Sequence, residues 1–212
     1  MPVLIYCLTF FAAYLLGSIP TGYLVGRAKG VDIRTVGSKN MGATNVFRTV
    51  GKMLGILVLL ADALKGWLAV AWLAPLIWHA FSHEAIPGWL RVIAGIGAIL
   101  GHNYTCWLQF KGGKGIATSA GVFIALTPWA LLIALGVWIV LFAVTRYVSV
   151  ASMAAAAVLP MAAWFTTHDP GLTLVAGVLG ALAIYKHKKN IERLLAGTEN
   201  RIEFGKKPEG AR

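Results

Sequence analysis

Between its polar breaks the chain runs as seven apolar stretches, near residues 3–25, 53–75, 89–109, 115–127, 129–145, 147–166 and 171–186. About 17–25 such residues make a helix long enough to cross the hydrocarbon core of a bilayer, and shorter stretches fit as broken spans. The fourth stretch is short and runs almost directly into the fifth through "LTPWA". Pro128 cannot continue a helix there and disfavours helical geometry at Thr127, so the two read as separate helices; one bent span covering both is the rival reading. Charged residues are only 13% of the chain and hydrophobic ones 58%, whereas a soluble domain carries about 25% charge. The expectation is an all-α integral membrane protein with seven transmembrane helices. The start has no basic stretch before its apolar run and no small-residue cleavage site ahead of a soluble body, so it reads as a retained first span.

Arginine and lysine set the orientation. The first connection holds Arg27, Lys29, Arg34, Lys39, Arg48 and Lys52, the third holds Lys111 and Lys114, Arg146 follows the fifth span, and the tail is basic. "LIWHAFSHEAIPGW", "TPW" and "TTHDPG" contain neither residue. Cytoplasmic loops carry the excess of positive charge, which places the N-terminus outside and the C-terminus in the cytoplasm. Merging spans four and five would put Arg146 and the basic tail on opposite sides. The net charge of +11 is thus a matter of topology, and no nucleic-acid partner is called for. Cys7 and Cys106 fall within or at the ends of spans, as small apolar residues rather than a disulfide framework. The tryptophans lie mostly near span ends, where the ring anchors at the interface. Small residues in "AGIGAILG" and "VAGVLGALA" let helices approach closely. Residues 1–212 read as one polytopic membrane domain with a short amphipathic cytoplasmic tail over 187–212.

Three polar clusters fall on the cytoplasmic side. In "VGSKNMGATNVFR", Ser38, Asn40, Thr44, Asn45 and Arg48 supply hydroxyls, amides and a guanidinium, while Gly37 and Gly42 let the backbone turn. That set suits an oxyanion; it equally suits a capped helix start, since Ser, Thr and Asn are preferred N-caps. In "FKGGKGIATSAG", Lys111 and Lys114 flank Gly112 and Gly113, followed by Gly115, so a loop expected to be rich in free N–H groups leads into a helix. Such an N-terminus beside cations is a phosphate site, although lysines there also fix topology, and no Walker sequence is present. In "YKHKKNIERLLAGTENRIEF", His187 and Asn190 share one helical face and Ile191, Leu194 and Leu195 another. Lys186, Lys188, Lys189 and Arg193 suit anionic lipid heads, and a basic helix that only anchors is the alternative.

Within the membrane, Asp62 and Lys65 stand three apart in the second span. A charged pair there either neutralises itself or braces the basic site, and bracing is the favoured reading. His102, at the inner end of the third span, reads equally as a helix-end histidine or a site residue. No register of Ser/His/Asp or Cys/His suits a covalent acyl-enzyme, and no metal or cofactor is expected. An anion transporter is the rival class, but such proteins place their site near the midplane with broken helices in both halves.

At these three clusters the sequence resembles the bacterial acyl-phosphate-dependent glycerol-3-phosphate acyltransferases, the PlsY family. The likeness runs through "YLLGSIPTGYLVGR", "VGSKNMGATNVFR", "GHNYTCWLQFKGGKGIAT" and "IYKHKKNIERLLAGTENR". Lys39 stands where the family usually has glycine, and Thr105 where it usually has proline. The resemblance implies seven helices with the N-terminus outside, a location in the bacterial inner membrane, and an active site on the cytoplasmic face. It implies transfer of a fatty acyl group from acyl phosphate to the 1-hydroxyl of glycerol 3-phosphate, with lysophosphatidic acid and phosphate as products. The partners are then glycerol 3-phosphate, long-chain acyl phosphate, membrane lipids and the soluble enzyme that makes acyl phosphate. On this reading Ser38, Thr44, Asn45, Arg48 and Lys114, with Lys111 and the glycines Gly112, Gly113 and Gly115, cradle phosphate, and by resemblance His187 and Asn190 line the glycerol 3-phosphate site. Ser38, Arg48, Lys114, His187 and Asn190 carry the chemistry. Charge grows on the leaving phosphate and the carbonyl oxygen, and fixed donors there lower the barrier. His187 and His102 are candidate bases, but a substrate phosphate oxygen is favoured as the proton acceptor.

Overall fold

The computed structural model describes residues 2–202, so the part of the expected tail beyond 202 lies outside it. All regular structure among the described residues is helical. The chain divides into two compact units, Met1–Pro128 and Trp129–Arg212.

In the first unit the expected first span is two helices, α1 (Pro2–Ser18) and α2 (Thr21–Ala28). Pro20 breaks them, because proline has no N–H for the helix ladder. Gly30, at φ +73°, closes α2 with the Val31 N–H on the Gly26 carbonyl, 2.9 Å, the left-handed cap that glycine adopts without strain. The short α3 (Ala43–Thr49) leads into α4 (Lys52–Leu68), which reaches α5 (Ala74–Phe81) through a π turn at Ala69–Leu73. Pro75 has no N–H to give the carbonyl one turn back, and the helix widens just ahead of it. α6 (Gly88–Asn103) follows, then a loop with one 3-10 turn at Cys106–Leu108, then α7 (Ile116–Leu126).

The expected third span, 89–109, therefore stops at Asn103. Residues 104–110 are apolar enough to pass for helix, but their polar groups are used elsewhere. Tyr104 is pinned through its carbonyl to the Tyr14 hydroxyl, 2.6 Å, and the Thr105 hydroxyl donates to the Ser18 carbonyl, 2.5 Å. Gln109 and Phe110 then turn in the left-handed region, at φ +55° and +59°.

Glycines set the packing within this unit. A Cβ at Gly97 or Gly101 would overlap α1 backbone at Phe10 and Tyr14, and one at Gly17 would overlap Ala98 of α6. Likewise Gly66 faces the Thr118 backbone and Gly121 faces Ala63, holding α4 against α7. This is the small-residue packing expected where lipid removes any hydrophobic force between helices.

The second unit comprises α8 (Pro128–Thr145), whose first residue is the last of the first unit, α9 (Val148–Thr167), α10 (Pro170–Lys186) and α11 (Lys188–Leu195). Thr127 ends α7 at φ −152° and Pro128 opens α8, so the fourth and fifth stretches are separate helices. Asp169 caps α10, its Oδ1 accepting from the N–H groups of Gly171, 2.8 Å, and Leu172, 3.0 Å, with Pro170 in the first turn where no N–H is needed. α10 and α11 are bent by 53°.

Among the described residues, four helical stretches are long and apolar enough to cross a membrane: Pro2–Ala28, Lys52–Phe81, Pro128–Thr145 and Val148–Thr167. Pro170–Lys186 joins them if it counts together with Lys188–Leu195 as one bent span. The 16-residue α6 and the 11-residue α7 reach only about 24 and 17 Å at 1.5 Å per residue.

Candidate functional site

The loop between α2 and α3 is a packed body with an apolar core of its own. Ile33 and Met41 are buried with Val46, Val58 and Leu108. Above that core the loop is organised by Asn45, 2% exposed. Its Oδ1 accepts from the Ser38 N–H at 2.9 Å, and its Nδ2 donates to the carbonyls of Ile33, Val36 and Asn40 at 3.0, 3.1 and 2.9 Å. The amide expected to face an oxyanion is committed to the backbone that carries Ser38. Gly37 sits at φ +56°, and a Cβ there would overlap Asn45 Oδ1, so only glycine fits. Lys39 sits at φ +57°, a conformation that glycine takes more readily than lysine, which accounts physically for the family's usual glycine at this position. Ser38, Thr44 and Arg48 are half-buried, the last two on α3. Asp32 and Arg34 close the outer edge with paired bonds of 3.0 and 2.8 Å. Hydrogen bonds from the Arg34 side chain and backbone hold the half-buried Asp32 carboxyl down to about 2.

The second cluster folds back over the end of α6. The N–H of Gly112 donates to the Asn103 carbonyl, 3.2 Å, and that of Gly113 to the His102 carbonyl, 3.0 Å. The expectation that these two glycines offer free N–H groups is thereby corrected: orphan carbonyls at the C-terminus of α6 take them. A Cβ at Gly113 would overlap His102 Nε2, and Gly115, at φ +81°, lies against the Asn103 amide. The glycines are needed because the turn lies directly on two buried polar side chains. Lys111 is exposed and Lys114 half-buried, and α7 begins at Ile116 with first-turn N–H groups that have no partner within the helix.

Asp62, Lys65 and His102 meet beneath this turn, at 2, 4 and 3% exposure. Lys65 Nζ lies 2.8 Å from Asp62 Oδ1 and donates to the Ile19 carbonyl at 2.9 Å. That carbonyl sits at the Pro20 break of the first span. The Thr21 hydroxyl also donates to Asp62 Oδ1, and His102 Nδ1 stands 3.5 Å from the same oxygen. The pair therefore does more than neutralise itself. It reaches the glycine turn through His102.

In the second unit, His187 and Asn190 are buried at the bend between α10 and α11. His187 Nδ1 lies 2.7 Å from the Ala183 carbonyl; a carbonyl only accepts, so Nδ1 carries the hydrogen and Nε2 is the ring's acceptor when the imidazole is neutral. Asn190 Nδ2 donates to Glu199 Oε1 at 2.7 Å, Arg193 Nε to Glu199 Oε2 at 2.7 Å, and the Ser149 hydroxyl to Oε1 at 2.9 Å. Burial alone would raise the Glu199 carboxyl, but hydrogen bonds from Asn190, Arg193 and Ser149 hold it below the usual glutamate range. The Ile202 N–H reaches the Arg146 carbonyl at 3.0 Å and Arg201 Nε the Thr145 carbonyl at 3.1 Å. The segment after α11 thus closes over the turn between α8 and α9.

Residues 7–197 match the model of a family described as glycerol-3-phosphate acyltransferase. The chain belongs to this glycerol-3-phosphate acyltransferase family. A glycerol-3-phosphate acyltransferase of Trichlorobacter lovleyi is 49% identical over 191 residues, which are 90% of this chain and 94% of that protein. One from Endomicrobium trichonymphae is 43% identical over 97% of this chain and all of that one. Crystal structures of PlsY, described as an integral membrane glycerol 3-phosphate acyltransferase, match in two forms. The glycerol 3-phosphate form gives a TM-score of 0.83 at 40% identity, over 93% of this chain and 96% of that one. The lysophosphatidic acid form gives 0.80 at 39%, over 93% and 95%. The glycerol-3-phosphate acyltransferase reached by resemblance is thus of the PlsY type, an integral membrane acyltransferase of phospholipid biosynthesis.

Sequence reading passed over Asn103 and Glu199, the buried groups behind the second and third clusters. The helix-ending Gly-His-Asn before a Gly-rich turn signals the first. A glutamate set among the basic residues of the tail signals the second.

Proposed function

We propose that this chain transfers a fatty acyl group from long-chain acyl phosphate to the 1-hydroxyl of glycerol 3-phosphate. The observation that carries this reading is the Asn45-organised loop presenting Ser38 and Arg48, in a chain 40% identical to a protein whose structure is described as its glycerol 3-phosphate form. Ser38, Thr44, Arg48 and Lys114, with Lys111 at the edge, supply the phosphate donors; Asn45, Gly112, Gly113 and Gly115 shape the backbone around them. Arg48 offers a planar fork to two phosphate oxygens and Lys114 a compact point charge. His187 and Asn190 bind glycerol 3-phosphate as well.

The hydroxyl oxygen attacks the acyl carbonyl carbon, and the bond from that carbon to the phosphate oxygen breaks. Lysophosphatidic acid and inorganic phosphate leave. The hydroxyl proton passes to a substrate phosphate oxygen, so neither a protein base nor a covalent acyl-enzyme is required. Donors fixed on the developing negative charge lower the barrier by about 3–4 kcal/mol each. In the membrane the chain is one polytopic domain of seven spans, with α6 and α7 as its short members. Its N-terminus is outside and its phosphate loops face the cytoplasm, as the arginine and lysine distribution supports. The donor is delivered from the soluble enzyme that makes acyl phosphate to the inner membrane of a bacterium.

The test is phosphate release by purified protein given acyl phosphate with and without glycerol 3-phosphate. Release that requires the alcohol supports transfer. Uptake of phosphate into vesicles with no release refutes it in favour of transport.

A further inference from the structure

Three features converge on His102. Its carbonyl accepts the Gly113 N–H, its distal ring edge occupies the space a Gly113 side chain would need, and its Nδ1 faces Asp62. Asp62 cannot yield easily. It is gripped by Lys65 and Thr21, and Lys65 is tied in turn to the Ile19 carbonyl. The imidazole is consequently wedged between a fixed carboxylate and the α-carbon of Gly113, one residue before Lys114.

We propose that His102, seated by the Asp62–Lys65 pair, is the positioning residue of the Gly112–Gly113 turn and so sets where Lys114 meets the phosphate of glycerol 3-phosphate. The inference rests on the reading of Lys114 as a phosphate ligand. His102 touches no substrate in this account. Its ring is the template on which the turn is moulded, and Gly113 is glycine because the ring is there. Buried charge serves here as a rigid mount: breaking a buried pair costs several kcal/mol, so the carboxylate behind the ring stays in place while substrate comes and goes.

The geometry makes one coupling mandatory. Alanine at position 113 collides with His102 only while the ring is present, so the two substitutions cannot act independently. Gly113→Ala and His102→Ala are each expected to raise KM for glycerol 3-phosphate about tenfold, since displacements near 1 Å at a binding site carry penalties of that order or more. The double variant is expected to be no worse than the worse single one, because the new methyl enters the space the ring has left. The measurement is KM and kcat for the full-length protein in lipid or detergent, with the folded fraction of each variant checked by its thermal transition. A role confined to stability lowers the amount of active enzyme and leaves KM unchanged, and that result overturns the proposal. Losses that multiply to about a hundredfold in the double variant overturn it as well. If His102→Ala does not fold, His102→Asn keeps a donor towards Asp62, lacks the distal ring edge, and completes the same cycle. Wild-type protein that releases no phosphate with the alcohol present overturns the Lys114 reading and this inference together. An active wild type with independent losses overturns this inference alone.

Discussion

Replacing Asn45 by alanine separates two jobs that the sequence alone cannot tell apart, touching a phosphate and holding the loop that carries Ser38. The buried amide accepts one backbone N–H and donates to three carbonyls. Two amide hydrogens shared among three carbonyls count as two bonds, so with the Ser38 contact Asn45 supplies three. At a net of about 1 kcal/mol per bond, alanine should cost about 3 kcal/mol of loop closure. Every 1.4 kcal/mol is tenfold, so the open loop becomes about a hundredfold more populated. Limited trypsin digestion reads this directly, because the exposed Lys39 lies in a left-handed turn that a protease must open before it can cut. When opening and closing outpace cleavage, the rate follows the open population. Cleavage after Lys39 should therefore accelerate about a hundredfold in Asn45→Ala. Cleavage at the wild-type rate, together with a raised KM for glycerol 3-phosphate, would refute the reasoning and return Asn45 to direct phosphate contact.

Lys114→Ala should lower kcat at least about a hundredfold while leaving insertion and the thermal transition intact, the loss expected for one fixed donor to developing charge. Arg48→Lys should lose about tenfold in kcat/KM, because a point charge replaces a two-pronged donor; wild-type kinetics would exclude the fork. Lys39→Gly should raise the unfolding midpoint by about 1–3 °C through relief of the left-handed conformation, while Lys39→Ala, which keeps the strain, should not. For Glu199 the folded-state carboxyl is depressed, so its stabilisation is present above the unfolded value, about 4.3, and is lost as pH falls through the lower folded value. Melting curves recorded from pH 7 to pH 3 should show that loss in the wild type. Glu199→Gln, already weakened at pH 7, should show much less of it.

Most of the helical content was legible because span length and loop charge are local properties. Each of the seven apolar stretches contains helix, and the Pro128 break separates α7 from α8 as its missing N–H demands. Hydropathy failed where acceptors and donors far apart in sequence decide the backbone. The helix through 89–109 stops at Asn103 because Tyr14 and Ser18, some 90 residues away, take the polar groups of Tyr104 and Thr105. The first span breaks at Pro20, and the Ile19 carbonyl at that break takes a bond from a lysine 46 positions along the chain as well as from the Thr21 N–H. No window of apolar residues contains that information.

The candidate site divides in the same way. Residue types able to bind phosphate were readable, since hydroxyls, guanidinium, lysine and glycine announce their chemistry singly. Which of them present that chemistry outward was not. Asn45, Gly112 and Gly113 look like ligands in the sequence, yet their polar groups bond to the loop backbone or to the end of α6. Gly37, Gly113 and Gly115 are glycines for three different contacts, with Asn45, His102 and Asn103. A glycine-rich turn in an anion site therefore has two possible causes, N–H groups offered to the ligand or close packing on a rigid polar support. In the turn before Lys114 the second cause accounts for both glycines of the pair, which on the proposed reading leaves Lys114, Arg48 and the first turn of α7 to meet the phosphate.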